Sequence, residues 1–344
     1  MTSDPGVRAD SALQVARAYY ATRNYQRTRD VTRAALSQNP NDPDLLALHA
    51  AADHALKNHG PAANSAYAAL SVAPQHEFAM RVYALALEGL GRNYDAMWMA
   101  WRGVVAHPNQ AAQYRLYAAL LLRSRQMATA LYVIDRALQL EPNDVDALNL
   151  RGAILHRLGR RSESVASYRQ ALQLDPGNAE ALNDLAIHRL DGNKFSRALR
   201  GFLGAAGSDP ELADLARRNI GVVLRKVLAG VTVGAGVLSV LLAITAGAYN
   251  DGRPTAVARV AVGLLTAAMI AVLWWLVRAI PRGVLLSVLR KQRFSAARAI
   301  HALVAIAAGA WVTVYPGPPA MIAVGGLLAV GALVIIRIGL LIGK

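Results

Sequence analysis

Small side chains recur along the first part of the chain at three phases of a 34-residue period. One phase holds Ala16, Ala50, Ala84, Ala118, Gly152 and Ala186. A second holds Thr28, Ala62, Ala96, Ala130, Ser164 and Ala198, and a third Ala35, Ala69, Gly103, Ala137, Ala171 and Ala205. Larger apolar residues, Leu46, Met80, Tyr114, Leu148 and Leu182, share a further phase, and Pro40, Pro74, Pro108, Pro142, Pro176 and Pro210 keep the same spacing. The pattern predicts two antiparallel helices per period, able to approach closely where side chains are small. Each proline ends a second helix, because it lacks an amide donor and restricts the residue before it. Asn41-Asp42, Asn109 and Asn143-Asp144 are read as caps of the helices that follow. A single pair cannot bury its own apolar face, so the periods stack into a solenoid.

Beyond the repeats the polar positions thin out, leaving apolar segments near 227–249, 258–279, 299–315 and 320–342. At about 1.5 Å per residue the first and last exceed a hydrocarbon core of about 30 Å. The third is the shortest and crosses only if Ser295-Ala296-Ala297 joins it. The expected fold is all-α: six helix-turn-helix repeats, then a four-helix transmembrane region. The expected domains are a tail over 1–8, repeats over 9–212, a linker helix over 213–226 and a membrane domain over 227–344. Met1–Ala18 is polar and shows no signal-peptide pattern.

The stretch Leu158-Gly159-Arg160, followed by Tyr168, Ala171-Leu172 and Leu174-Asp175-Pro176, resembles the tetratricopeptide repeat family, and the resemblance extends over residues 9–212. In the first three repeats the family's aromatic is replaced by Thr32, Ala66 and Ala100. The resemblance implies a concave groove lined by the first helices, where partner peptides lie. One rung then reads Leu13, Ala47, Arg81, Arg115, Asn149 and Asn183, with Arg17, His54, Arg123, His156 and Arg157 at neighbouring phases. Arginine forks onto carboxylates, and an asparagine amide bonds a peptide backbone in both directions. Family clamps hold C-terminal carboxylates with Lys, Arg and Asn; the set here has those residue types without that spacing. A solvated charged face is the alternative. Trp98 and Trp101, beside Met97 and Met99, share a helix face and serve either a partner contact or packing between repeats.

Charge divides the chain further. Of 37 Lys and Arg and 22 Asp and Glu, 14 basic residues follow Asp214 against the single acid Asp251, a net +13. Such a balance first suggests nucleic acid, but its interleaving with apolar runs points to a membrane and no nucleic-acid partner. Arg217, Arg218, Arg225 and Lys226 precede the first apolar segment. Arg278, Arg282, Arg290, Lys291, Arg293 and Arg298 fill the second connection, whereas Pro316-Gly317-Pro318-Pro319 carries no charge. The alternation predicts that both termini and the repeats are cytoplasmic. Arg337 snorkels to the inner end, Tyr249, Trp311 and Tyr315 mark the outer interface, and Trp274 and Trp275 the inner one. Within the basic connection Val284, Leu285, Val288 and Leu289 recur at helical spacing. They suit a short helix on an anionic inner leaflet, with Arg282, Arg290, Lys291 and Arg293 on its polar side, or a topological anchor alone. Arg outnumbers Lys 32 to 5, a usage typical of a GC-rich bacterium and its inner membrane.

Catalytic patterns are missing. There is no His-Glu-x-x-His, Gly-x-Ser-x-Gly or phosphate-loop spacing; Gly339–Lys344 is one residue short of the last. The absence of cysteine removes thiol chemistry. His49, His54 and His59 recur every five residues, neither a helix face nor a ligand pair, and His301 has no intramembrane carboxylate beside it. Neither cofactor nor metal is expected. Gly230 and Gly234 form a Gly-x-x-x-Gly pair, with Ala305 and Gly309 a weaker analogue, for packing among the four segments or for a homo-oligomer. The expected function is a non-catalytic adaptor, holding a protein or peptide partner at the cytoplasmic membrane face as part of a larger complex. The alternative is a small transport or lipid-handling unit regulated by the repeats, which a polar cavity among the spans would favour.

Overall fold

The computed structural model describes residues 5–315 and 319–341, with side chains from residue 11 onward except at 210 and 211. Pro316-Gly317-Pro318, Ile342, Lys344 and the first four residues of the expected tail lie outside the described residues. Those described form seventeen helices and no strand. The chain divides into two compact units, Met1–Pro176 and Gly177–Lys344.

The first unit stacks five antiparallel pairs: α1 (Pro5–Ala21) with α2 (Tyr25–Leu36), α3 (Pro43–Ala55) with α4 (His59–Val72), α5 (Glu77–Gly89) with α6 (Asn93–Ala106), α7 (Ala111–Arg123) with α8 (Met127–Leu140), and α9 (Val145–Arg157) with α10 (Arg161–Leu174). The three small-residue phases are buried at every position except the half-buried Ala35. The fit is tightest in the fifth pair, where a Cβ on Gly152 would lie 2.7 Å from the Tyr168 ring. Earlier repeats carry Thr32, Ala66, Ala100 or Ile134 in place of that tyrosine, all buried, and alanine serves opposite them.

The turn inside each pair is also periodic. Arg23, Lys57, Gly91, Arg125 and Gly159, and Asn193 in the second unit, stand 34 residues apart with φ between 55° and 76°. The amide of the following residue donates to the carbonyl five residues back, as Asn58 to Asp53 (2.9 Å) and Arg92 to Leu87 (2.9 Å), which closes a Schellman motif. The caps of the first helices follow a period as well: Asp42, Asp144 and Asn178 each accept from the amide three residues on, and so does His76 through Nδ1. Asn109 is not a cap. Gln110 holds that phase in the fourth pair, and its side chain makes no capping bond.

The second unit opens with the sixth pair, α11 (Ala179–Asp191) and α12 (Phe195–Ser208), and continues through α13 (Pro210–Asn250), α14 (Ala256–Ala279), α15 (Arg282–Lys291), α16 (Arg293–Val314) and α17 (Ala320–Leu341). The expected linker helix runs into the first apolar segment without a break, giving 41 residues in α13. The third segment gains Ser295-Ala296-Ala297 and reaches 22 residues in α16. Among the described residues four helices are long and apolar enough to cross a membrane: α13 from Leu212, α14, α16 and α17.

Two larger cores organise this unit, beside a small one of Ala179, Ala205 and Ala216. Leu199 and Phe202 of the sixth pair pack with Ile220, Leu224 and Leu228 of α13, Leu276 of α14 and Val288 of α15. Farther along α13, Leu238 and Leu242 pack with Val262, Met269, Ala305 and Leu328 of the other three apolar helices. Outside the second core, Val233, Val237, Leu264, Ile270, Leu303, Leu327 and Leu333 are exposed, a belt of apolar surface around the helices. Such a surface is costly in water and ordinary in lipid. The apolar face expected to lie on a leaflet is occupied by protein instead: Val284, Leu285 and Leu289 of α15 pack with Val288 against the first core. Arg282, Arg290, Lys291 and Arg293 remain exposed.

Candidate functional site

In the first unit the groove arginines are held by neighbouring carboxylates. Arg81 on α5 pairs with Glu77 one turn earlier (3.2 Å) and lies over the Phe78 ring (5.5 Å). Burial holds its guanidinium below the ordinary arginine pKa; Glu77 opposes that shift and Arg115 adds to it. Arg115 on α7 reaches across to Asp144, the cap of α9, and to Asp146 (3.8 Å). Arg123 at the end of α7 pairs with Glu88 of α5. The Arg115 and Arg123 pairs tie first helices of successive repeats together, whereas Arg81–Glu77 stays within α5. Asn149 is buried within α9, and His156 and Arg157 at its end are exposed. Asn183, in the second unit, is also buried: its amide donates to Asp184 (3.0 Å), and its carbonyl accepts from Asn219 of α13 (2.8 Å). The polar rung of the sequence is thus largely engaged within the protein, with Arg123, His156 and Arg157 its most accessible members.

The second helices present a different surface. Trp98 and Trp101 of α6 are 48% and 47% exposed, with the Arg102 guanidinium 4.9 Å from the Trp98 ring. Tyr94, 76% exposed, precedes Trp98 by one turn on the same face. Tyr67 on α4 occupies the phase of Trp101, and Tyr132 on α8 the phase of Trp98; they are 62% and 78% exposed. Five large aromatics therefore remain uncovered on three consecutive second helices. The tyrosines were legible only through the period, since nothing else distinguishes them from core aromatics.

His54 and His59 meet across the α3–α4 turn, with their Nδ1 atoms 3.3 Å apart. Burial lowers the His54 pKa, His59 and Lys57 lower it further, and Glu88 opposes them. Their contact needs one ring to donate and the other to accept, so at least one stays neutral. No group of three His, Cys, Asp or Glu able to hold a metal occurs among the described residues.

In the second unit a cavity of about 1060 Å³ opens between the start of α12 and the facing sides of α13 and α14. Lys194, Arg197 and Arg200 border it on one side and Lys226 on the other; Val231, Leu265, Met269, Val272 and Trp275 form its apolar walls. Gly230 and Gly234 line this cavity: a Cβ on Gly230 would meet nothing within 4 Å, and one on Gly234 only the Met269 side chain of α14, at an ordinary 3.8 Å. The close approaches are elsewhere. A Cβ on Gly325 would lie 2.8 Å from the Ser239 carbonyl oxygen of α13, and one on Gly309 would lie 2.3 Å from Thr266 Oγ1.

The buried hydroxyls of these helices serve their own backbones. Thr232, Ser239, Thr245 and Thr266 each donate to the carbonyl four residues earlier. His301 Nε2 lies 3.0 Å from the Leu328 carbonyl oxygen and so joins α16 to α17. Arg259 donates to the Thr313 and Val314 carbonyls, each at 2.8 Å, and closes the C-terminus of α16.

Residues 145–178, which comprise α9, α10 and the turns after them, match the family model of the tetratricopeptide repeat. The match does not extend to the apolar C-terminal helices. No curated protein matches the chain. Among solved structures, the APC/C hetero-tetramer Cut9–Hcn1 aligns at 15% identity and a TM-score of 0.55, over 62% of this chain and 43% of the other. PilF from Pseudomonas aeruginosa aligns at 16% identity and a TM-score of 0.50, over 61% of this chain and 93% of its own. Identities this low establish the fold alone. Residues 145–178 thus form a tetratricopeptide repeat, in a chain whose helix pairs share that fold.

Proposed function

We propose that the chain is a membrane-tethered adaptor whose repeats hold a protein partner at the cytoplasmic face of a bacterial inner membrane, as part of a larger complex. The observation that carries this reading is the aromatic surface of Tyr67, Tyr94, Trp98, Trp101 and Tyr132. Exposed tryptophan and tyrosine at this density are costly in water and are the residues that dominate protein interfaces. The apolar belt of the second unit supplies the tether, and the exposed cations Arg282, Arg290, Lys291 and Arg293 suit the anionic inner leaflet. Neither a catalytic cluster nor a cofactor enters the reading. A peptide entering the groove would exchange Glu77, Glu88 and Asp144 for its own carboxylates on Arg81, Arg123 and Arg115, with His156 and Arg157 at the edge.

The test is affinity purification of the full chain from mild detergent, with two sets of variants. Trp98→Ala with Trp101→Ala and Tyr132→Ala is expected to lose the co-purifying protein, and Arg81→Glu with Arg115→Glu to retain it. Loss in the arginine pair alone would move the contact into the groove. A chain that purifies without any stoichiometric protein, at native expression, would overturn the adaptor.

A further inference from the structure

The cavity of the second unit joins two surfaces that seldom occur together. Lys194, Arg197, Arg200 and Lys226 are exposed at its border, and none of them forms an ion pair with a carboxylate among the described residues. Immediately beyond them the walls turn apolar. From Lys226 to Gly234 the floor of the cavity follows α13 for about 12 Å, and from Trp275 to Leu265 its wall follows α14 in the opposite direction for about 15 Å. That depth matches one leaflet of a hydrocarbon core of about 30 Å. Trp275 stands at the charged end, the level at which tryptophan favours the headgroup boundary. The two glycines keep the channel open, since side chains at 230 and 234 would fill it.

We propose that this cavity holds one anionic phospholipid, its headgroup on Lys194, Arg197, Arg200 and Lys226 and an acyl chain in the channel over Gly230 and Gly234. A soluble anion would satisfy the cations and leave the apolar channel unfilled. A second copy of the chain, docked by its own glycine face, would bring the same four cations against these four, which repels. A lipid satisfies both surfaces and enters laterally from the bilayer. The proposal rests on the membrane reading given above and adds to it the ligand of one site.

The experiment uses the full chain. Alkaline extraction of membranes comes first: a chain released by it would sink the membrane reading itself. The integrated protein is then purified in mild detergent and titrated, under native mass spectrometry, with phosphatidylglycerol or phosphatidylcholine of the same acyl chains. One phosphatidylglycerol per chain is expected, retained about ten-fold better than phosphatidylcholine. Arg197→Ser with Arg200→Ser should abolish that preference, and Gly230→Leu should abolish retention of both lipids while melting as the parent does, since the added side chain enters open space. Arg136→Ser with Arg169→Ser, exposed on second helices of the first unit, should change neither. Equal retention of the two lipids, or unaltered binding in both cavity variants, overturns the site without touching the membrane reading. So does a doubled mass that Gly230→Leu reduces to one chain, which would give the channel to a second copy, or a stoichiometric partner protein lost in that variant.

Discussion

A positive φ is imposed on one residue in every helix pair, yet glycine fills that position only at Gly91 and Gly159. A side chain in the left-handed region costs about 1–2 kcal/mol, whereas glycine loses about 0.5–1 kcal/mol through the freedom of its unfolded chain. Lys57→Gly and Arg125→Gly, both at exposed turns, are therefore each expected to stabilise the repeats by up to about 1 kcal/mol. Gly159→Ala should destabilise by a similar amount although nothing lies within 4 Å of its added Cβ. Urea unfolding of each variant measures both signs; a neutral Gly159→Ala would mean that the turn relaxes out of the left-handed region. The turn explains why the sequence was only partly legible at this scale. The small core positions repeat in kind, because each faces a neighbouring helix at the same distance. The turn positions repeat in conformation alone, so Lys57 and Arg125 carry no mark of it. The caps lie between these extremes: Asp42 and Asp144 are evident, but His76 caps through a ring nitrogen that residue preference does not suggest.

Helix by helix, the lesson concerns which small residue touches a neighbour. The Gly230/Gly234 spacing announces a face that another helix can approach, but spacing does not say whether one does. Gly325, without a partner glycine four residues away, lies where its Cβ would press on the Ser239 carbonyl oxygen and the Ala243 amide of α13, at 2.8 Å and 3.0 Å. Backbone cannot swing aside as a side-chain tip can, so Gly325→Ala forces α13 and α17 apart at a cost of about 1–3 kcal/mol. In detergent that variant should melt several degrees below the parent, and Gly230→Ala should melt as the parent does. The reverse order would place the tight α13 contact at the motif and leave Gly325 at a loose one. The weaker pair, Ala305 and Gly309, is buried among α13, α14 and α16 and is the analogue that packs within the molecule. Three of the four cavity cations escaped sequence reasoning for a related reason. Lys194, Arg197 and Arg200 belong to a repeat, and in a repeat they read as solvated positions until the facing helices are seen.

On the scale of the whole molecule, orientation is set by where positive charge fails to cross. The connection between α14 and α16 carries exposed Arg282, Arg290, Lys291 and Arg293, and moving such cations through a bilayer is unfavourable. The connection between α13 and α14 holds Arg253 beside Asp251 (3.8 Å), and Arg259 after it is bound to the last carbonyls of α16. Those two arginines are thus spoken for locally, and they weigh little against the basic connection. The chain has no cysteine, so a single introduced thiol reports its own side of the membrane without background. In intact cells a membrane-impermeant maleimide should modify Asp251→Cys and spare Leu286→Cys, an exposed position of α15, until the membrane is opened. A thiol at Ser71, on the second helix of the second repeat, should follow Leu286→Cys, because the two crossings of α13 and α14 return the chain to the side from which it started. Labelling of the Ser71 position in intact cells would put the aromatic surface outside. The partner would then have to be sought among extracytoplasmic proteins, and the exposed cations of α15 would need a counter-charge other than the inner leaflet.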